Sequence, residues 1–242
     1  AAVMIPLYYD LHMHSCLSPC GDDDMTPANL VGMAAVKGLD VIALTDHNSC
    51  KNCPAAMKHG EEYGVIVIPG MELTTSEEVH VVCLFPTLDD ALSFDAYVYD
   101  HILPIKNKEH IFGRQQIMDA QDHVIGNVER LLISATDISF DRIFALASSY
   151  HGIAYPAHID KTTTSLLSNL GFVPPDSTFL CAEIHNMGNL HRIQKEHPYF
   201  LQCNIVSSSD AHYLEDINEP YYQLYSESRS IPDILAGLLR HA

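Results

Sequence analysis

Basic residues are scarce in this chain. Its 242 residues hold 13 Lys and Arg against 31 Asp and Glu, a formal net charge of −18. Nucleic-acid binding draws on lysine and arginine to displace counterions from phosphates, so the shortage argues against a long nucleic-acid partner. Long apolar runs are also missing: none approaches the ~20 residues of a membrane-spanning helix. No basic flank precedes the first apolar strand, so no signal peptide is expected and the chain reads as cytoplasmic. Ala1-Ala2 reads as an appended remnant. With no internal repeat and no low-complexity linker, one domain over residues 1–242 is expected. Paired cysteines are lacking too. Seven cysteines, an odd number, without a secretory signal read as reduced thiols. Cys50 and Cys53 form a C-x2-C pair, and Cys16 and Cys20 have C-x3-C spacing. Four thiols could hold a zinc or a cluster if those loops met, but a C-x2-C that opens a helix is more often two ordinary thiols.

Apolar content is ample at 47%, enough for a full core. The run Met4 to Tyr9 reads as a buried strand leading into Asp10-Leu11-His12-Met13-His14-Ser15. Side chains two apart on a strand share a face, so His12 and His14 point the same way with Asp10 one step earlier. Two imidazoles on one rigid strand end make half a metal site, and a nearby carboxylate can orient a ring.

The same grammar recurs. Thr26-Pro27 caps a helix that Gly38 stops, and Val41 to Leu44 is a strand ending in Thr45-Asp46-His47-Asn48. A helix over 54–63 stops at Gly64, and strand 65–68 ends in Pro69-Gly70-Met71-Glu72. His80 is the only titratable residue of the strand around 79–85. Residues 87–150 break the alternation and read as an insertion that carries substrate selectivity, with a helix over 88–103, a strand pair around Gly126 and a helix over 140–149. Strand 152–157 then ends in His158, and strand 179–184 ends at His185-Asn186. Strand 204–209 ends in Asp210-Ala211-His212, a last strand lies at 221–225, and a helix over 231–239 closes the chain. In α/β folds the site forms at the carboxyl ends of strands. Imidazole and carboxylate together suit zinc, manganese or iron. So many donors exceed what one ion needs, so two or three ions are expected, with Glu72 placed to bridge two.

Taken together, Asp10-Leu-His-Met-His-Ser15, Thr45-Asp-His-Asn48, Gly70-Met-Glu72, Val79-His80-Val81, Ala157-His158 and Ser209-Asp-Ala-His212 resemble the PHP (polymerase and histidinol phosphatase) metallophosphoesterases. The pieces come in family order and span nearly the whole chain. The resemblance implies an α/β fold, a distorted (β/α)7 barrel, with a trinuclear metal site at the carboxyl ends of the strands. It implies one ion on His12, His14, Glu72 and Asp210, a second on Glu72, His80 and His158, and a third on His47, His212 and a ligand from the loop after the first motif. Counting back from Thr26 selects Asp22 for that ligand, the preferred choice; counting forward from His12 selects Cys20. Asp10 and Asp46 would orient ligand rings. Lys161, where relatives often carry arginine, would bind phosphate, with Arg192 or His191 a weaker alternative. His110, His123, His151, His197 and His241 read as surface residues.

The implied activity is hydrolysis of phosphate esters. A water shared by two cations loses most of its proton affinity and attacks phosphorus, while the ions offset charge in the transition state. The expected substrate is small: a nucleotide, short oligonucleotide or sugar phosphate. Histidinol-phosphate phosphatase, or a non-catalytic metal-binding regulatory domain, are the alternatives. An amidohydrolase barrel would commonly need a bridging lysine after a strand, and Lys161 follows a histidine rather than replacing a ligand.

Overall fold

The computed structural model describes residues 3–240, so Ala1-Ala2 and His241 lie outside the described residues. In chain order the elements are β1 (Ile5–Asp10), α1 (Pro27–Val36), β2 (Val41–Leu44), α2 (Cys53–Tyr63), β3 (Ile66–Thr74) and β4 (His80–Leu84). The segment after β4 holds α3 (Leu88–His101), α4 (Glu109–Phe112), β5 (Gln116–Met118), β6 (Val124–Asn127) and α5 (Phe140–Ser149). Then follow β7 (Ile153–Pro156), α6 (Leu166–Leu170), β8 (Cys181–Ile184), α7 (Leu190–Glu196), β9 (Asn204–Ser207), β10 (Gln223–Ser226) and α8 (Ile231–Leu239). No helix among the described residues is long and apolar enough to cross a membrane.

Six strands form one curled sheet in the order β10-β1-β2-β3-β4-β7, and β8 pairs with β9 separately. Strand residues alternate between two cores, as the two-residue period of a strand requires. Leu7, Tyr9, Val41, Ala43, Ile68, Val82 and Tyr155 fill the inside of the curl with Leu235 and Leu238 of α8. Ile42, Leu44, Val67, Val81 and Cys83 face outward onto Leu30 and Val31 of α1, Ala56 of α2, Phe94 of α3 and Ile143 of α5. The helices are set by local signals. Thr26 caps α1 by accepting from the Asn29 amide at 3.2 Å, and Gly64, with φ of +72°, ends α2 in a conformation that favours glycine.

The structure departs from a (β/α)7 barrel in two ways. The alternation is broken, because β4 runs antiparallel to both β3 and β7, and β10 antiparallel to β1. The circle is also not closed by continuous ladders. The β8–β9 pair joins its neighbours near the carboxyl ends, through Ile159 N to Glu183 O at 2.8 Å on one side and His14 N to Ala211 O at 2.9 Å on the other.

β3 runs past the expected stop at Ile68. Its ladder with β2 ends at Pro69, and pairing with β4 begins at Gly70. Gly70 is needed there: a Cβ would lie 2.8 Å from the Cys83 carbonyl oxygen. Glu72 therefore sits within a strand rather than after one. The hairpin that follows brings His80, the first residue of β4, to the end where β2, β3 and β7 finish. Gly126 lies inside β6 opposite Ile117 and not in a turn.

The excursion over 87–150 climbs the outside of the sheet and returns. Gln116 N donates to Cys16 O at 3.1 Å and Thr136 N to Thr74 O at 3.0 Å. Asn48 Nδ2 donates to the Leu132 and Ser134 carbonyls at 2.8 and 2.9 Å, and Met118 N donates to Asn52 Oδ1 at 2.8 Å. Its residues thus brace the loops after β1, β2 and β3 from behind.

Candidate metal centre

The ladder of β1 ends at Asp10, and the next four residues turn two imidazoles into the molecule. His12 and His14 are fully buried. His12 Nδ1 donates to both oxygens of Glu183, at 2.8 and 2.9 Å, and His14 Nδ1 is 2.9 Å from Ser18 Oγ. Ser18 in turn donates to Asp46 Oδ1 at 2.7 Å, so it accepts from the His14 ring. Each Nδ1 is thereby engaged as a donor, leaving both Nε2 atoms to face a common space 3.3 Å apart. Asp46 acts on a ligand ring through Ser18. Asp10 does not orient a ring: it accepts from the backbone amides of Ser209 at 3.1 Å and Asn218 at 3.0 Å. Glu183 and Ser18 were missed by sequence reasoning. Glu183 had a signal, as the one carboxylate in the apolar strand Cys181–Ile184; Ser18 had none.

Among the described residues three groups of donor atoms converge, the atoms of each within 4.8 Å of one another: His12, His14, Glu72 and Asp210; Glu72, His80 and His158; and His14, Cys20, His47 and His212. Glu72 stands between them. Its Oε1 is 3.1 Å from His14 Nε2 and 3.4 Å from His47 Nδ1. Its Oε2 is 3.1 Å from His12 Nε2 and 3.2 Å from both His80 Nδ1 and His158 Nε2. Asp210 Oδ1 completes the first group at 3.2 Å from His12 Nε2 and 3.0 Å from His14 Nε2. The third group contains Cys20. Asp22 stands apart: its backbone amide donates to His212 O at 3.0 Å and its Oδ2 accepts from Asp24 N at 3.2 Å. The other thiols do not join a metal-binding group. Cys50 and Cys53 aim at the Gly70 carbonyl, at 3.2 and 3.7 Å.

These residues fit metal ions. Glu72 Oε2, His47 Nδ1 and His158 Nδ1 are buried without a hydrogen-bond partner among the described residues, although Oε2 has three ring nitrogens close by. Donor atoms that share one ion at about 2.1 Å stand roughly 3.0–3.4 Å apart, and the spacings here are of that kind. They converge on common points more than on one another.

The electrostatics agree. Burial alone would lower the His12 imidazole, but Glu183, Glu72 and Asp210 outweigh it and hold it well above its usual value. His14 is likewise lifted to about 9 by Asp210 and Glu72 against burial. His47 and His212 go the other way, His212 to about 4, through burial and the charge on His14. Burial beside Glu72 and Asp210 pushes the Cys20 thiol up to about 12, although the residue as a whole is exposed. The same carboxylates that favour a proton on His12 and His14 would favour a metal cation at that place. Backbone strain accompanies the centre: His158 and Asp210 both have positive φ, +28° and +54°, a conformation that persists only where surroundings over-determine it.

Beside the donors open two polar cavities. One, about 390 Å³, is lined by His158, Lys161, His185, Asn189 and Asp210. The other, about 520 Å³, shares His185, Ser209 and Asp210 and extends to Asn218 and Tyr221. Asp160 shapes the first by accepting from the His185 and Asn186 amides at 2.8 and 2.9 Å. Arg192 lines neither cavity and pairs with Glu196 at 3.6 Å on exposed α7. No residue of the 87–150 excursion lines either one; the segment braces the loops that carry the donors.

Residues 10–228 match the PHP domain. The chain belongs to the PHP domain family. Among curated relatives, the uncharacterized protein MJ1587 of Methanocaldococcus jannaschii is 36% identical over 76 residues, 28% of this chain and 44% of its own. A 5'-3' exoribonuclease of Haemophilus influenzae is 37% identical over 79 residues, 31% of this chain and 28% of its own. This PHP chain therefore spans less than half the length of these relatives. Of solved structures, the lesion-specific endonuclease PfuEndoQ of Pyrococcus furiosus superposes with a TM-score of 0.67 at 18% identity, covering 97% of this chain and 56% of that one. Endonuclease Q in complex with a 27-mer duplex superposes at 0.60 and 19% identity, covering 87% and 50%.

These neighbours correct the expectation of a small phosphorylated substrate and no long nucleic acid. Endonuclease Q, half of which superposes on this chain, was solved with a 27-mer duplex substrate, and a relative in sequence is named an exoribonuclease. A net charge of −18 is a sum over the whole chain.

Proposed function

We propose that this PHP chain is a metal-dependent nuclease that hydrolyses phosphodiester bonds in nucleic acid. The observation that carries the reading is the position of Glu72, whose two oxygens each face a different set of imidazoles within 3.4 Å. In this reading three ions are held. His12, His14, Glu72 and Asp210 would hold one, Glu72, His80 and His158 the second, and His47, His212 and Cys20 the third. A thiolate among imidazoles favours zinc at the third position. When bound, such ions would lower the proton affinity of a water and offset charge on phosphoryl oxygens.

The chain's own residues prepare the site. Glu183 and Ser18 fix the His12 and His14 rings so that Nε2 faces inward, and Asp10 ties Ser209 and Asn218 to the end of β1. Lys161 reaches the cavity that adjoins His158 and Asp210, where its ammonium suits a phosphate oxygen. The test is incubation of labelled single-stranded RNA, single-stranded DNA and duplexes with fully metallated protein. Cleavage that chelator abolishes and manganese or zinc restores is expected. Intact oligonucleotides throughout, with a full complement of metal, would refute the nuclease reading and favour a regulatory domain.

A further inference from the structure

The larger cavity beside the donors is lined by no lysine or arginine, and two of its residues, Asp210 and Asp216, are acidic. It is ill suited to a phosphate. It is also lined by Ser207, Ser208, Ser209, Asn218, His185 and two tyrosines. Ser208 Oγ accepts from Leu11 N at 3.1 Å and keeps its own proton to give. Tyr221 is 77% exposed and its ring has no hydrogen bond or ring contact within the described residues. Its segment is nevertheless tied down next to the ligand strand. Asn218 N donates to Asp10 Oδ2 at 3.0 Å and Tyr9 N donates to Tyr222 O at 3.2 Å. An aromatic face is thus held at the edge of a polar, uncharged-ligand cavity that shares Asp210 with the donor set, while the sole ammonium, Lys161, lies in the neighbouring cavity.

We propose that this cavity receives the nucleobase adjoining the scissile phosphate, with Tyr221 as the face on which the base stacks and Asn218 and Ser208 presented to its edge. The proposal rests on the nuclease reading and adds to it where a base is recognised. Every base has a π-face, so such a platform tolerates sequence and demands an unstacked base.

The experiment uses the full chain with Tyr221→Ala and Tyr221→Phe. Because the protein has no tryptophan, fluorescence of 2-aminopurine reports stacking cleanly. Quenching of 2-aminopurine nucleotide by wild type and Tyr221→Phe, and its loss in Tyr221→Ala, is expected. In cleavage assays, the preference for a base-bearing dinucleotide over one made abasic on either side of the phosphate should fall about tenfold in Tyr221→Ala, the size of one lost stacking contact. Equal quenching by wild type and Tyr221→Ala, or an unchanged preference, overturns the base platform while leaving nuclease activity intact. Quenching without any cleavage by wild type overturns the nuclease reading and leaves the base site standing.

Discussion

Replacing Glu183 by glutamine changes one atom's chemistry at a point that touches two ligands. The carboxylate receives His12 Nδ1 at 2.8 and 2.9 Å and the His158 amide at 3.0 Å, and it is buried. A glutamine of the same shape offers one acceptor where two are used. Oε1 takes both N–H groups and Oε2 only that of His12, so the glutamine NH2 faces the His12 N–H, donor against donor, in either orientation, and in one of them the His158 N–H as well. The loss is one hydrogen bond to a charged group, about 1.5–3 kcal/mol, together with the charge that makes the His12 ring a better donor to metal. Removal of such a supporting carboxylate weakens metal affinity by roughly 10–100-fold, an equivalent of about 1.4–2.7 kcal/mol. Competition titration of zinc against a chromophoric chelator measures it. Affinity within about twofold of wild type in a folded Glu183→Gln protein would refute the reasoning.

The metal-stripped protein gives a second readout with a definite sign. His12 is held well above its usual value by Glu183, Glu72 and Asp210 against burial. A raised histidine contributes stability that is fully present below its unfolded value near ~6.5 and is lost as pH rises through the folded one. The melting-temperature gap between wild type and Glu183→Gln should therefore be wider in mildly acid buffer than in alkaline buffer.

Other substitutions separate the parts of the centre. Glu72→Ala should abolish hydrolysis and remove at least one ion per chain; unchanged metal stoichiometry by elemental analysis would count heavily against bridging. Cys20→Ser should lose one ion while Asp22→Asn keeps all of them, and the reverse pattern would return the third ligand to Asp22. Lys161→Ala should raise KM for oligonucleotides about tenfold or more, the value of a charge-assisted contact, and an unchanged KM in steady-state assays would place Lys161 outside the phosphate path.

Much of the centre could be read before any coordinates because its donors follow apolar runs. His12, His14, His47, His158, Asp210 and His212 each come directly after a buried strand, where α/β folds collect their chemistry. Glu72 and His80 were found for a different reason than their positions suggest. An apolar run carries no sign of its direction, so nothing marked β4 as reversed, with His80 at its start. Asp10 shows the limit of the two-residue rule. The rule holds along a ladder, and the ladder stops at Asp10, so the carboxylate meets the backbone amide of His12 at 3.4 Å and not its ring. The supporting groups Glu183 and Ser18 stand 171 and 4 residues from the rings they hold, a relation that only the fold creates. Net charge misled on the substrate because it averages a surface whose local fields differ.

The braced loops have an implication for how this scaffold diversifies. The 87–150 excursion departs from one end of the sheet, supports the opposite end, and comes back to where it began, so its length is decoupled from the strand order. A transplant of that span between family members would carry over the stiffness of the ligand loops, and with it their grip on cations. The groove on the far side, built from the β8 and β9 ends and the tyrosine segment, would keep its own taste in substrates. The bracing of the donor loops and the lining of the groove thus sit on separable stretches of chain and are free to drift independently.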